Sequence, residues 1–106
     1  MAFTPYHNIV ESTGGKNQQL VSAGDNASTI YSILLTNVHA TADATVSLYI
    51  SNGTDTYYII KTVAIPSDTA LLLDNMDMLS FDNSSSGYDL NITIAASDTV
   101  DVMIKK

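Results

Sequence analysis

The stretch from Ile30 to Pro66 constrains the fold more than any other part of the chain. It opens with Ile30-Tyr-Ser-Ile-Leu-Leu-Thr-Asn-Val38 and, after a polar break, continues as Ala44-Thr-Val-Ser-Leu-Tyr-Ile-Ser51. The turn Asn52-Gly53-Thr54-Asp55 leads into Thr56-Tyr-Tyr-Ile-Ile-Lys-Thr-Val-Ala-Ile65, which ends at Pro66. Three successive runs rich in β-branched and aromatic residues, separated by turn chemistry, predict strands rather than helices. Ala44 to Ser51 alternates, with Val46, Leu48 and Ile50 on one face and Thr45, Ser47 and Tyr49 on the other, as a half-buried strand does. Ile30 to Val38 is apolar on both parities, Ile30, Leu34 and Val38 against Tyr31, Ile33 and Leu35. Such a strand is covered on both sides, by the core on one and by a subunit interface on the other. Asn52-Gly53 reads as a hairpin turn because both residues tolerate positive φ.

The rest of the chain follows the same pattern. Two weaker strands, Asn8 to Ser12 and Gln18 to Ser22, flank a hairpin-like break at Thr13-Gly14-Gly15-Lys16, and Gly24-Asp25-Asn26 turns the chain again. Ser67-Asp68 leads into Thr69 to Leu73. A short piece, Met78 to Phe81, precedes the loop Asp82 to Gly87. The one helix candidate, Asp74 to Leu79, is brief. Tyr88, Leu90, Ile92 and Ile94 alternate with Asp89, Asn91 and Thr93. After Ser97-Asp98, Val100, Val102 and Ile104 alternate with Asp101, Met103 and Lys105. These last two runs predict a closing antiparallel pair. Eight to nine strands at a spacing of about ten residues predict an all-β, antiparallel β-sandwich, either jelly-roll or immunoglobulin-like. The 106 residues suffice for one domain. Within it, residues 1–27 read as an N-terminal arm and weak hairpin, and residues 28–106 as the sandwich core.

Charge narrows the function. Charged residues make up 14% of the chain, against the usual quarter, so Ser, Thr, Asn and Gln must cover much of the surface. There is no arginine, and four lysines against eleven acids give a net charge of −7. Nothing here neutralises phosphate, which argues against nucleic acid and anionic membrane surfaces as partners. The chain has no cysteine, which removes disulfides, thiolate zinc sites and cysteine nucleophiles. Met1 to His7 has neither a basic region nor an apolar core, so it is not read as a signal peptide. No apolar run approaches the ~20 residues of a membrane helix. The Asn-x-Ser/Thr sequons at Asn26, Asn52, Asn83 and Asn91 read as the product of a composition rich in these residues.

No residue set demands a reaction. His7 and His39 lack metal-ligand spacing and read as loop histidines. Asp74, Asp77 and Asp82 do not match a calcium loop, and Met76 and Met78 interrupt them. A pair of carboxylates for glycoside hydrolysis would need a cleft, and a sandwich without tryptophan offers few platforms for sugar rings. No Gly-x-Ser-x-Gly elbow and no phosphate-cradling glycine loop is present. The chain is therefore read as a non-enzyme that needs no cofactor and no metal. Its aromatic residues are the candidates for contact. Tyr57 and Tyr58 are adjacent and point to opposite faces, so one packs inward. The other joins Tyr49 and Tyr31 in an outer patch, which serves either a protein or glycan contact or cross-strand pairing on a solvated face.

In order, Ile30-Tyr-Ser-Ile-Leu-Leu-Thr-Asn37, Ala44-Thr-Val-Ser-Leu-Tyr-Ile50, Tyr57-Tyr-Ile-Ile-Lys-Thr-Val-Ala-Ile-Pro66, Thr69-Ala-Leu-Leu-Leu73, Leu90-Asn-Ile-Thr-Ile-Ala-Ala96 and Val100-Asp-Val-Met-Ile104 form a series of β phrases. The series resembles small β-sandwich virion proteins of tailed bacteriophages, of the cyanophage and marine phage type. It covers residues 28 to 106 and contains no catalytic motif. The resemblance implies a capsid decoration, or cement, protein on the capsid exterior. Such a protein binds the major capsid protein, bridges its subunits and forms a homo-oligomer, a trimer by preference. On that reading Met1 to His7, with Phe3 and Tyr6, joins Tyr31, Tyr49, Tyr57 and Tyr58 in contacts with neighbours. The alternative is a tail or tail-fibre component that binds a host glycan or another tail protein.

Overall fold

The computed structural model describes residues 4–10, 16–25, 30–95 and 99–105, with the backbone alone for 4–10 and 16–18. The elements run β1 (Thr4–Val10), β2 (Lys16–Val21), β3 (Ser32–Asn37), β4 (Ala44–Ser51), β5 (Thr56–Ile65), β6 (Thr69–Leu73), α1 (Met76–Leu79), β7 (Asp89–Ile94) and β8 (Thr99–Lys105). The fold is all-β, and the described strands form two antiparallel sheets of four. The first sheet has the order β1-β8-β3-β6 and the second β2-β7-β4-β5.

One apolar core lies between the sheets. Ile33 and Leu35 of β3 and Val100, Val102 and Ile104 of β8 enter it from the first sheet. Val46 and Leu48 of β4 and Leu90, Ile92 and Ile94 of β7 enter it from the second, all fully or almost fully buried. These are the alternating apolar positions, so period-two patterning sets which face each strand buries. At roughly 25 cal/mol per Å² of apolar surface, each such side chain contributes about 1.5–3 kcal/mol of burial.

β4, β5 and β6 fall where the sequence places them. Four other expectations change. Met78 to Phe81 is not a strand; one helical turn, Met76–Leu79, takes in its first two residues and buries Leu79. Asn75 caps the turn, its side chain accepting from the Asp77 N–H at 3.0 Å. The closing runs do not pair with each other, because β7 lies in the second sheet and β8 in the first. Their apolar faces meet across the core instead of side by side. β1 and β2 are likewise divided between the sheets, where β1 pairs with β8 and β2 with β7. The Gly14-Gly15 break, Asn26 and the Ser97-Asp98 turn lie outside the described residues. Finally, Ile30 and Tyr31 precede β3, so its alternation does not reach them: Ile30 is buried and Tyr31 is exposed.

β5 carries two extra residues relative to β4. Its register shifts between the pairs Tyr49↔Tyr58 and Leu48↔Ile60, and again between Leu48↔Ile60 and Val46↔Val63. Thr62 sits in the second bulge with φ 55°, and its N–H donates to the Ser47 hydroxyl at 2.9 Å. A β-branched residue in the left-handed region is strained by about 1–2 kcal/mol, and glycine recovers part of this after its entropic cost. Thr62→Gly is therefore expected to stabilise the fold by about 0.5–1 kcal/mol, seen as a small rise in the urea midpoint at unchanged slope. An equal or lower midpoint would show that the bulge stores no strain.

Candidate partner-contact surfaces

The two sheets present different outer faces. Across the second sheet, register aligns Gln19, Asn91, Tyr49 and Tyr58 in one row, with Ser47 opposite Thr93 beside it. The rings of Tyr49 and Tyr58 lie 5.5 Å apart, tilted by 53°, and the Lys61 ammonium sits 5.1 Å from the Tyr58 ring centre. This is a cross-strand aromatic pair capped by a cation–π contact, worth about 0.5–1 kcal/mol at an exposed site. Its polar and aromatic side chains stand on a regular central strand and its bulged neighbour.

The structure corrects the expected tyrosine patch in two respects. Neither Tyr57 nor Tyr58 packs into the core, since they are 54% and 50% exposed. Tyr57 lies opposite Ile50, near the β4–β5 turn. There its ring meets the edge of Tyr88, centre to centre 6.1 Å, instead of core side chains. Tyr31 does not join Tyr49 and Tyr58. It precedes β3 in the other sheet, and its N–H donates to the Lys105 carbonyl at 2.8 Å. Phe3 lies outside the described residues. Tyr6 lies in β1, which β8 of the same chain holds.

The outer face of the first sheet holds a row of which sequence reading marked only Leu34. Leu34 of β3 is opposite Met103 of β8 on one side and Leu72 of β6 on the other. These three point away from the core that Ile33, Leu35, Leu71 and Leu73 enter or pack against. Leu72 is 49% exposed. The signal lay in Leu71, Leu72 and Leu73, a run apolar on both parities like Ile30 to Val38.

Side-chain hydrogen bonds order the loops between the strands. The Asn83 side-chain amide is buried and donates to the Ser22 carbonyl (3.0 Å) and the Tyr88 carbonyl (2.8 Å). Its backbone carbonyl accepts from the Gly24 N–H. The sequon asparagine is thus occupied within the fold. The Asp82 carboxylate accepts from the Ser84 N–H at 3.0 Å, and hydrogen bonds from Ser84 hold its pKa below the usual aspartate value. His39 organises the β3–β4 loop: its Nδ1 accepts from the N–H groups of Thr41 and Ala42, both at 3.1 Å. In the β4–β5 turn only Gly53 has positive φ, while Asn52 acts through its side chain, which accepts from Thr54 and Asp55.

Among the described residues, no group of three or more His, Cys, Asp or Glu is placed to hold a metal ion. Nor is any helix among them long and apolar enough to cross a membrane. No protein-family model, curated protein or solved structure matches the chain.

Proposed function

We propose that the chain is a jelly-roll β-sandwich that serves as a non-enzymatic bacteriophage virion protein. In this reading it is a decoration protein on the capsid exterior, bridging subunits of the major capsid protein as a homotrimer. The jelly-roll reading draws on the strand orders β1-β8-β3-β6 and β2-β7-β4-β5, in which the first two strands divide between sheets. An immunoglobulin-like arrangement instead pairs its first two strands. The virion reading draws on the series of β phrases. The observation that carries the contact role is the outward row Met103–Leu34–Leu72. Water gains nothing from three aligned apolar side chains, whereas a neighbouring subunit buries them. A protein that binds only the assembled shell stabilises it by mass action.

Immunogold labelling of intact virions, with an antibody against this chain, tests the reading. Even labelling over the head is the expected result, and heads lacking the chain are then expected to lose DNA at a lower temperature. Labelling confined to the tail overturns decoration and favours the second reading, a tail component that binds glycan or another tail protein. The Tyr49–Tyr58–Lys61 row is the observation that favours it, and glycan binding abolished by Tyr58→Ala would support it. Absence of label from every particle removes the virion role.

A further inference from the structure

Sheet edges offer unpaired backbone groups to other strands, and native proteins disarm them with bulges, proline or charge. Three of the four edge strands here are disarmed in this way. The register of β1 shifts after Pro5, that of β2 shifts between Gln19 and Val21, and β5 carries two bulges and Lys61. β6 is different: Thr69 to Leu73 pairs with Asn37 to Ile33 in unbroken register, and its five residues are all uncharged. Among the described residues, its backbone makes no hydrogen bond beyond its ladder with β3.

We infer that the β6 edge is a docking site for an extended segment of a partner protein, with an apolar centre flanked by lysine or arginine, which adds a fifth strand to the first sheet. Charge identifies the occupant. Asp68 and Asp74 bracket β6, both exposed, and Asp77 follows. No Lys or Arg stands between Lys61 and Lys105. A second copy of this chain fits badly. Antiparallel β6–β6 pairing that uses all five residues centres on Leu71 and sets Asp68 directly against Asp74, a like-charge pair, between molecules each of charge −7. A segment with basic ends meets both aspartates. Its outward side chains extend the row Met103–Leu34–Leu72, and main-chain hydrogen bonds supply the rest. The inference stands on the edge and its charges, not on the virion role.

The test uses the full chain, labelled with ¹⁵N, and the synthetic peptide acetyl-KKVTVTVKK-amide. Its controls are the peptide with glutamate in place of every lysine and the peptide with proline in place of the central valine. At low salt the lysine peptide is expected to shift the amide signals of residues 69–73 and to bind about tenfold tighter than the glutamate peptide. The proline peptide is expected to bind weakly, because it cannot complete the ladder. The variant Asp68→Asn/Asp74→Lys, which keeps a residue tolerant of positive φ at position 68, is expected to lose the preference for the lysine peptide. Unchanged amides at 69–73, equal binding of the proline peptide, or a preference that survives in the variant overturns the inference. So does a concentration-dependent dimer of the chain with cross-strand contacts at Leu71. None of these outcomes bears on where the chain sits on a particle.

Discussion

Asn37→Ala is expected to lower the thermal midpoint by about 15 °C, the equivalent of about 3 kcal/mol in a domain of this size. Asn37 ends β3 on the core-facing parity of Ile33 and Leu35, and it is completely buried. Its amide nitrogen donates to the Ala42 carbonyl at 2.8 Å and the Ile65 carbonyl at 3.0 Å, and its oxygen accepts from the His39 N–H at 3.0 Å. One side chain thereby ties the β3–β4 loop and the end of β5 to the first sheet. Alanine leaves these groups without their partner, and the Ile65 carbonyl has no easy route to water. A buried polar group without a partner costs about 1–3 kcal/mol. Asn37→Asp sharpens the test. Aspartate retains an acceptor for His39, but its ionised carboxylate faces the two carbonyl oxygens that the amide served. Burial beside those two acceptors favours the protonated form, so the introduced carboxyl is expected to have a folded-state pKa above its unfolded value. The variant is therefore expected to lose stability as pH rises through that folded pKa, and to approach the parent protein in acid. Urea midpoints for both proteins between pH 4 and pH 7 check this. If both follow parallel curves, Asn37 is not the clamp.

Asn37 also marks where sequence reading succeeds and where it stops. Alternation in Val46-Leu48-Ile50, Leu90-Ile92-Ile94 and Val100-Val102-Ile104 correctly assigned the buried faces, because a strand's period of two leaves only two choices. The same alternation says nothing about which strand lies alongside. β7 and β8 bury identical patterns whether they pair in one sheet or face each other across the core. Only the competing neighbours decide, β2 and β4 for one and β1 and β3 for the other. The Asn52–Asp55 turn was legible from its residue types, although its asparagine works through its side chain. Met78 to Phe81 was misread because four apolar or small residues fit a strand as well as a capped helical turn. On the candidate surfaces, strand parity places Tyr49 with one of Tyr57 and Tyr58, and only the β4–β5 register shows that it is Tyr58. Leu72 and Met103 were not found, because they share a row with Leu34 only once β6, β3 and β8 are adjacent, and that adjacency spans residues far apart in the chain.

Gly87→Ala is expected to lower the urea midpoint by about 2–3 M, which corresponds to about 3 kcal/mol. The reason is space rather than dihedral freedom. Gly87 is buried, and a methyl group there would fall inside the van der Waals envelope of the Asp82 backbone carbonyl and its side-chain carbon. That carbonyl cannot simply swing aside, because it accepts from the Tyr88 N–H at 2.7 Å while Gly87 itself donates to the Ser84 carbonyl at 2.9 Å. Moving Asp82 also disturbs Asn83, whose bonds to Ser22, Gly24 and Tyr88 hold this loop against the turn that follows β2. Gly53 is the control. It has φ 92°, but nothing lies within 4 Å of an added methyl group, so Gly53→Ala should cost only about 1 kcal/mol from backbone strain. Amide exchange separates local from global effects. Gly87→Ala is expected to accelerate exchange at Gly24 and Tyr88 beyond what the change in global stability predicts, whereas Gly53→Ala is expected to leave both in line with it. Equal effects at the two glycines would mean that the 82–88 loop yields easily and does not brace the end of the molecule where Tyr57 and Tyr88 meet.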